Sequence, residues 1–164
     1  MKHLFTFLLF LSLIATGHAQ SLDSLLFAGC QPAVPVMYDL NKATLRPESK
    51  DTLDKVVEMM KCNDAMVIHV CVHTDSRASQ AYCTKISQSR AQSIVDYLVS
   101  KGISPLRLRA VGYGETRPRR LPDGTVLTEK YINAQPKEAQ EKLHQQNRRT
   151  ELRLAAQDYS ESPE

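Results

Sequence analysis

After the apolar stretch Leu4 to Ile14, this chain of 164 residues lacks any run near the roughly 20 consecutive apolar residues that a spanning helix requires. It also lacks a GxSxG nucleophile elbow and the CxxC spacing typical of zinc sites, and it contains no internal repeat. A strong charge imbalance is missing too. Lys and Arg number 21 against 18 Asp and Glu, a net charge of +3, so bulk electrostatics points to no nucleic-acid partner. These absences leave a single domain of ordinary size, large enough for one core.

An export signal stands at the start. Lys2 and His3 precede the apolar run, and Thr16, Gly17, His18 and Ala19 follow it, with small residues where a signal peptidase reads. Cleavage after Ala19 is therefore expected, with residues 20–32 as a lead segment. The run is too short for an uncleaved anchor. Loss of Lys2 would leave 20 of the 21 basic side chains against 18 acidic ones, a net charge of about +2. Phe27-Ala28-Gly29-Cys30 resembles a lipobox, but Ser21, Asp23 and Ser24 separate it from the apolar run that a lipobox should close. At the other end, residues 157–164 carry too few apolar side chains to pack, and read as a disordered tail.

From Ala33 onward, strand and helix signals alternate. Ala33 to Tyr38 reads as a short strand, with Pro35 marking an edge. Asp39-Leu40-Asn41-Lys42 is turn material, and Pro47 opens a helix whose apolar face is Leu53, Val56, Val57 and Met60. Met66 to Val72 is nearly continuously apolar, the pattern of a central strand covered on both sides. A second helix is expected from about Ser79, as cap, to Ser100, with Gly102 ending it. Leu106 to Val111 follows as a strand, and Gly112-Tyr113-Gly114 breaks the pattern. An insert at about 117–146 holds the turn Leu121-Pro122-Asp123-Gly124 and a helix from Pro136 to Gln146, before a half-exposed strand, Thr150 to Leu154.

Within this frame one pair of charges stands out. His73-Thr74-Asp75 closes the central strand. Arg90 falls in an apolar row, Tyr82, Ile86, Ile94 and Leu98, which turns its base toward the core. A buried cation needs an anion, since stranding one partner of such a pair costs on the order of 3–5 kcal/mol. Asp75 or an acidic ligand must supply it. Read from residues alone, Asp75 and Arg90 could equally be a structural ion pair tying loop to helix.

The successive motifs Tyr38-Asp39-Leu40-Asn41-Lys42, His73-Thr74-Asp75, Tyr82 through Ser87 to Arg90-Ala91, Gly112-Tyr113-Gly114-Glu115 and Asn147-Arg148-Arg149-Thr150-Glu151 together resemble the OmpA-like C-terminal domain. That family is shared by outer-membrane protein A, peptidoglycan-associated lipoprotein and flagellar stator subunits. The resemblance covers roughly Val36 to Leu154. It implies an α+β fold, a β-α-β-α-β-β two-layer sandwich of mixed sheet and helices over residues 33–156. It also implies non-covalent binding of peptidoglycan in the periplasm, linking outer membrane or envelope proteins to the wall, with no cofactor and no catalysis.

By the same resemblance the ligand is the diaminopimelate of the stem peptide, which offers an ammonium and a carboxylate on one carbon. Asp75 would accept the ammonium and Arg90 would clamp the carboxylate, one planar fork on one planar anion. Thr74 would be a supporting donor, His73 a neighbour in support, and Arg149 a further lining residue from the last strand. Arg148 and Arg149 could instead be a solvated charge pair. Where the family usually has glycine this chain has Val72 and Ala78, and where it usually has asparagine it has Cys83.

An exported chain meets an oxidising environment, so its four cysteines suggest two disulfides. In a β-α-β unit, the first strand's start and the first helix's end share an edge, favouring Cys30 with Cys62. The opposite edge favours Cys71 with Cys83, which would staple the binding loop. A zinc ion held by Cys71, His73, Cys83 and His69 competes weakly with that reading. The alternative function is a periplasmic protein-interaction module that has lost wall binding, in which Asp75 and Arg90 pair with each other.

Overall fold

The computed structural model describes residues 33–39 and 41–155. The expected leader, lead segment, lipobox with Cys30 and tail 157–164 lie outside them. The elements are β1 (Ala33–Val34), α1 (Pro47–Cys62), β2 (Ile68–His73), α2 (Gln80–Ser100), a 3-10 turn (Pro105–Arg107), β3 (Leu108–Gly114), α3 (Glu129–Asn133), α4 (Lys137–Asn147) and β4 (Arg149–Leu154). The sheet runs β1-β4-β2-β3, with β3 parallel to β2 and β4 antiparallel to both β2 and β1. This is the expected mixed α+β architecture, and β2 is interior as its apolar run implied.

Three local outcomes differ from expectation. The first strand stops at Val34 rather than Tyr38, because Pro35 has no N–H to continue the ladder, and only an isolated bridge from Tyr38 to Leu45 follows. The insert contains a second helix, α3, whose first turn is capped by Thr128 Oγ1 accepting from the Tyr131 amide at 3.2 Å. Gly112-Tyr113-Gly114 does not break β3 but completes it. Glycine stands there because α2 lies directly on the strand: a Cβ on Gly112 would sit 2.2 Å from the Gln88 nitrogen.

Strand alternation divides the sheet into two faces. Ile68, Val70 and Val72 of β2, Leu108 and Ala110 of β3 and Leu152 of β4 meet Leu53, Val56 and Met60 of α1 and Ala91, Ile94 and Leu98 of α2 in one core. Val72, where glycine is usual in the family, is simply part of that core. The intervening residues His69, Cys71, His73, Arg109, Tyr113, Arg149, Glu151 and Arg153 take the other face. Each fully buried Leu or Ile contributes roughly 1.5–3 kcal/mol. Arg107 secures one end of the layers by donating to the carbonyls of Met60, Asn63 and Met66 at 2.7, 2.6 and 2.9 Å. Its guanidinium thus ends α1 and starts β2 together, with the cation at the helix's negative pole.

The helices match the expected signals closely. Pro47 is the first residue of α1, and Ser79 caps α2 by accepting from the Tyr82 amide at 3.4 Å. Gly102 follows α2 at φ 92°, the left-handed turn anticipated for it. Substituting Gly112 by Ala should cost at least about 2 kcal/mol in urea unfolding, because helix backbone must move. Gly124→Ala, at φ 87° in open space, should cost only about 1 kcal/mol.

Candidate functional site

The loop after β2 carries Asp75, which is only 9% exposed. Its Oδ1 accepts the Arg77 amide at 3.2 Å, and its Oδ2 accepts Arg77 Nε at 3.1 Å and Nη2 at 2.7 Å. Arg148 Nη1, from the end of α4, also donates to Oδ2. Burial pushes the Asp75 carboxyl up, but the bonds from Arg77 and Arg148 outweigh it and hold it below the usual carboxylate range. Both arginines share a second anion, Glu141, at 2.8 and 2.6 Å. Asp75 is therefore paired with Arg77 and Arg148 and not with Arg90, contrary to the expected ion pair.

Arg90 faces the same space from α2 and is half-buried. Its Nε donates to the Lys42 carbonyl at 3.0 Å, and its guanidinium lies over the Tyr38 ring at 4.9 Å. Tyr38 in turn donates to the Arg90 carbonyl at 3.3 Å, and burial pushes its hydroxyl up to about 12. Among the described residues, neither Nη of Arg90 has a hydrogen-bond partner. The row through Tyr82, Ile86 and Arg90 overstated its burial, since it runs one residue, about 100° of helix rotation, away from the buried row Cys83, Ser87 and Ala91. The buried ridge is Cys83, Ser87, Ala91, Ile94, Val95 and Leu98, and Tyr82, Ile86 and Arg90 ride its flank.

A cavity of about 240 Å³ brings these groups together, lined by Asp75, Arg77, Arg90 and Arg148 with Thr74, Ala78, Cys83, Tyr82, Ile86 and Asn41. Thr74 contributes as expected in position, but its amide is committed to the Gly114 carbonyl at 2.9 Å. Its hydroxyl is buried without a partner among the described residues. Cys83 supports the loop from below, its thiol donating to the Asp75 carbonyl at 3.5 Å and the Ala78 carbonyl at 3.8 Å. Ala78 needs no glycine, since Asn41 alone among the described non-glycine residues has a positive φ, at 54°. That left-handed turn presents Asn41 Oδ1 to the Tyr82 hydroxyl at 3.2 Å.

Two expected members lie elsewhere. Arg149 points to the opposite sheet face, where its Nε donates to Glu151 Oε1 at 2.6 Å. It meets Arg90 and Arg148 only in the walls of an adjoining cavity of about 390 Å³. His73 is on that face too, 3% exposed, stacked on Tyr113 at 5.2 Å and with Nε2 3.3 Å from Glu151 Oε2. Period-2 alternation along β4 put Arg149 on the face of Glu151, whereas Arg148 precedes the strand as the residue that caps the end of α4. Neither is a merely solvated charge. No signal in the sequence marked Arg77 or Arg148 as partners of Asp75, because their pairing depends on where α4 comes to rest.

The proposed Cys71–Cys83 disulfide is not formed: both are buried free thiols. Alternation puts Cys71 on the outer sheet face, while Cys83 lies on the helix side, its Cβ 3.3 Å from where a Gly114 Cβ would be. The sheet separates them. Cys62 is also free and exposed at the end of α1, and its suggested partner Cys30 lies outside the described residues.

The outer-face carboxylate carries a pH signature. Burial raises Glu151, but His73 and Arg149 beside it outweigh that and bring the carboxyl from 4.5 down to about 2. A depressed folded value means the stabilisation is complete above about pH 4.5 and is lost as pH falls toward 2. Thermal melts across that window should show Glu151→Gln losing less stability on acidification than the wild type.

Comparison with known proteins bears on the family and the fold. Outer membrane protein A of Shimwellia blattae is 42% identical over 85 residues, covering 51% of this chain and 35% of that protein. The chain thus spans about a third of the length of this curated relative. The peptidoglycan-associated lipoprotein from Burkholderia pseudomallei shares the fold with a TM-score of 0.57 at 20% identity, over 73% of this chain and 88% of that one. The cell wall anchor of the T6SS from Pseudomonas aeruginosa shares it at 0.53 and 24%, over 71% and 72%. The sequence profile of the OmpA family matches residues 37–131, more than half of the chain, and the protein belongs to that family.

Proposed function

We propose that this domain binds peptidoglycan non-covalently by gripping the diaminopimelate of a stem peptide in the Asp75–Arg90 cavity. The observation that carries the reading is the state of Arg90. Its Nε and ring face are held by Lys42 and Tyr38, while both terminal nitrogens are without partners among the described residues. That leaves a pre-oriented fork for one carboxylate. Asp75 Oδ1 accepts a single bond, from the Arg77 amide, and a carboxylate oxygen has room for a second donor such as an ammonium. The partnerless Thr74 hydroxyl adds a third contact.

Charge supports the same choice. Among the described residues Arg77 and Arg148 pair with Asp75 and Glu141 while Arg90 makes no ion pair, which leaves its cation open. A ligand carboxylate would balance it. Family membership supports wall attachment, as do the names of two fold relatives, one peptidoglycan-associated and one a cell wall anchor. In this reading the domain works in the periplasm after removal of residues 1–19, against the outer membrane or another envelope protein. Among the described residues no helix is long and apolar enough to cross a membrane.

Sedimentation with purified sacculi tests the reading. Arg90→Ala should weaken binding about tenfold or more, the effect of one lost charge-assisted fork, while the melting temperature changes little. Asp75→Ala should weaken it too, but with a loss of stability, because Arg77 and Arg148 lose their shared anion. Soluble diaminopimelate should compete. If wild-type protein stays in the supernatant, or Arg90→Ala sediments equally well, the domain is a protein-interaction module and the wall-binding reading is wrong.

A further inference from the structure

The sheet face turned away from α1 and α2 holds a second concentration of charge that the wall-binding site does not use. Strand alternation puts Arg109, Arg149 and Arg153 on this face, and the segment Arg117-Pro118-Arg119-Arg120 folds over its end. There a cleft of about 420 Å³ is lined by Arg117, Arg119, Arg120, Arg149, His73 and Glu151. Glu151 is the only carboxylate in that lining, and Arg149 at 2.6 Å and His73 at 3.3 Å already attend it.

Among the described residues the other guanidinium groups of the cleft have no ion-pair partner. The Arg117 guanidinium carbon lies 3.9 Å from the Tyr113 ring centroid, and Tyr113 is stacked on His73, so the ring attracts this cation without spending its donors. Its carbonyl accepts Arg149 Nη2 at 3.3 Å, which fixes the segment over the sheet. Arg120 Nη1 donates to the Gly124 carbonyl at 2.9 Å. Among the described residues the Arg117 and Arg119 guanidiniums make neither an ion pair nor a hydrogen bond. In the same lining His73, 3% exposed, has no hydrogen-bond partner for either ring nitrogen among the described residues, although Nε2 lies 3.3 Å from Glu151 Oε2.

We infer that this cleft binds a phosphate group. A planar carboxylate is satisfied by one fork, whereas several guanidiniums lining one cleft match a tetrahedral anion with acceptors in several directions. The cleft is larger than a phosphate alone, which suits a phosphate borne on a headgroup. It lies on the opposite sheet face from the Asp75 cavity, so the inference stands independently of the wall-binding reading.

The test uses the full chain with inorganic phosphate and, separately, phosphatidylethanolamine vesicles with or without phosphatidylglycerol, at constant ionic strength. Phosphate should shift the amide resonances of Arg119 and Glu151 but not that of Arg77. Cosedimentation only with phosphatidylglycerol vesicles would identify a lipid headgroup as the source, and phosphate shifts without vesicle binding would identify a soluble phosphate. The double substitution Arg117→Gln, Arg119→Gln should weaken either binding at least about tenfold, with sacculus binding unchanged. Arg109→Gln, an exposed arginine on the same face outside the cleft, should leave it intact. Absence of shifts at Arg119 and Glu151, or equal loss in Arg109→Gln, would overturn the inference and reduce the patch to diffuse charge. A double variant that binds as tightly as wild type would do the same.

Discussion

The contact between α2 and β3 sets the position of everything that could bind. At Gly112 and Gly114 the helix backbone rests on the strand with no side chain between them, at distances where a Cβ would collide with Gln88 or crowd Cys83 and Thr84. The contact is also bonded: Ser87 Oγ accepts the Gly114 amide at 2.9 Å, and Gln88 accepts the Gly112 amide at 2.8 Å. With the helix pinned in depth and rotation, Cys83 comes under the Asp75 loop, and Arg90, two turns further along, comes across the cavity from it. The same strand end accepts the Thr74 amide, so loop and helix are registered against one piece of backbone.

Given that registration, the charges sort into two systems separated by the sheet. On one side Asp75 and Glu141 are braced by Arg77 and Arg148, and Arg90 is left with open donors. On the other, Glu151 is braced by Arg149 and His73, and Arg117 is left with open donors. Each system consumes its own carboxylates internally and ends with guanidinium in excess. Bracing matters because a buried carboxylate without partners would protonate or destabilise the fold. A net charge of +3 over the whole chain gives no hint of this arrangement.

Much of the architecture is legible in the sequence. Pro47, Ser79 and Gly102 acted locally, through fixed φ, a capping oxygen and a left-handed turn, so the helices began and ended near their expected places. The apolar run of β2 correctly marked the interior strand. The failures were of a different kind. Gly112 reads as a break in the sequence because a glycine required by a close-packed helix looks like one required by a turn. The Cys71–Cys83 bridge failed because chain topology put both at one edge of the sheet, whereas alternation decided the face. Arg90 does not pair with Asp75, because it sits one residue off the buried row of α2 and Arg77 and Arg148 reach the carboxylate instead.

The sequence by itself determined the family, the order of elements and the two residues, Asp75 and Arg90, that face one cavity, because these rest on local backbone preference and on motif order. Tertiary structure alone decided the roles around them. It brought Arg148 from the end of α4 and Arg77 from the loop onto Asp75, freed the ends of Arg90, and sent Arg149 and His73 through the sheet to Glu151. Ion pairs depend on distances of a few ångströms between elements far apart in the chain, 73 residues in the case of Arg148 and Asp75, and no local rule carries that information.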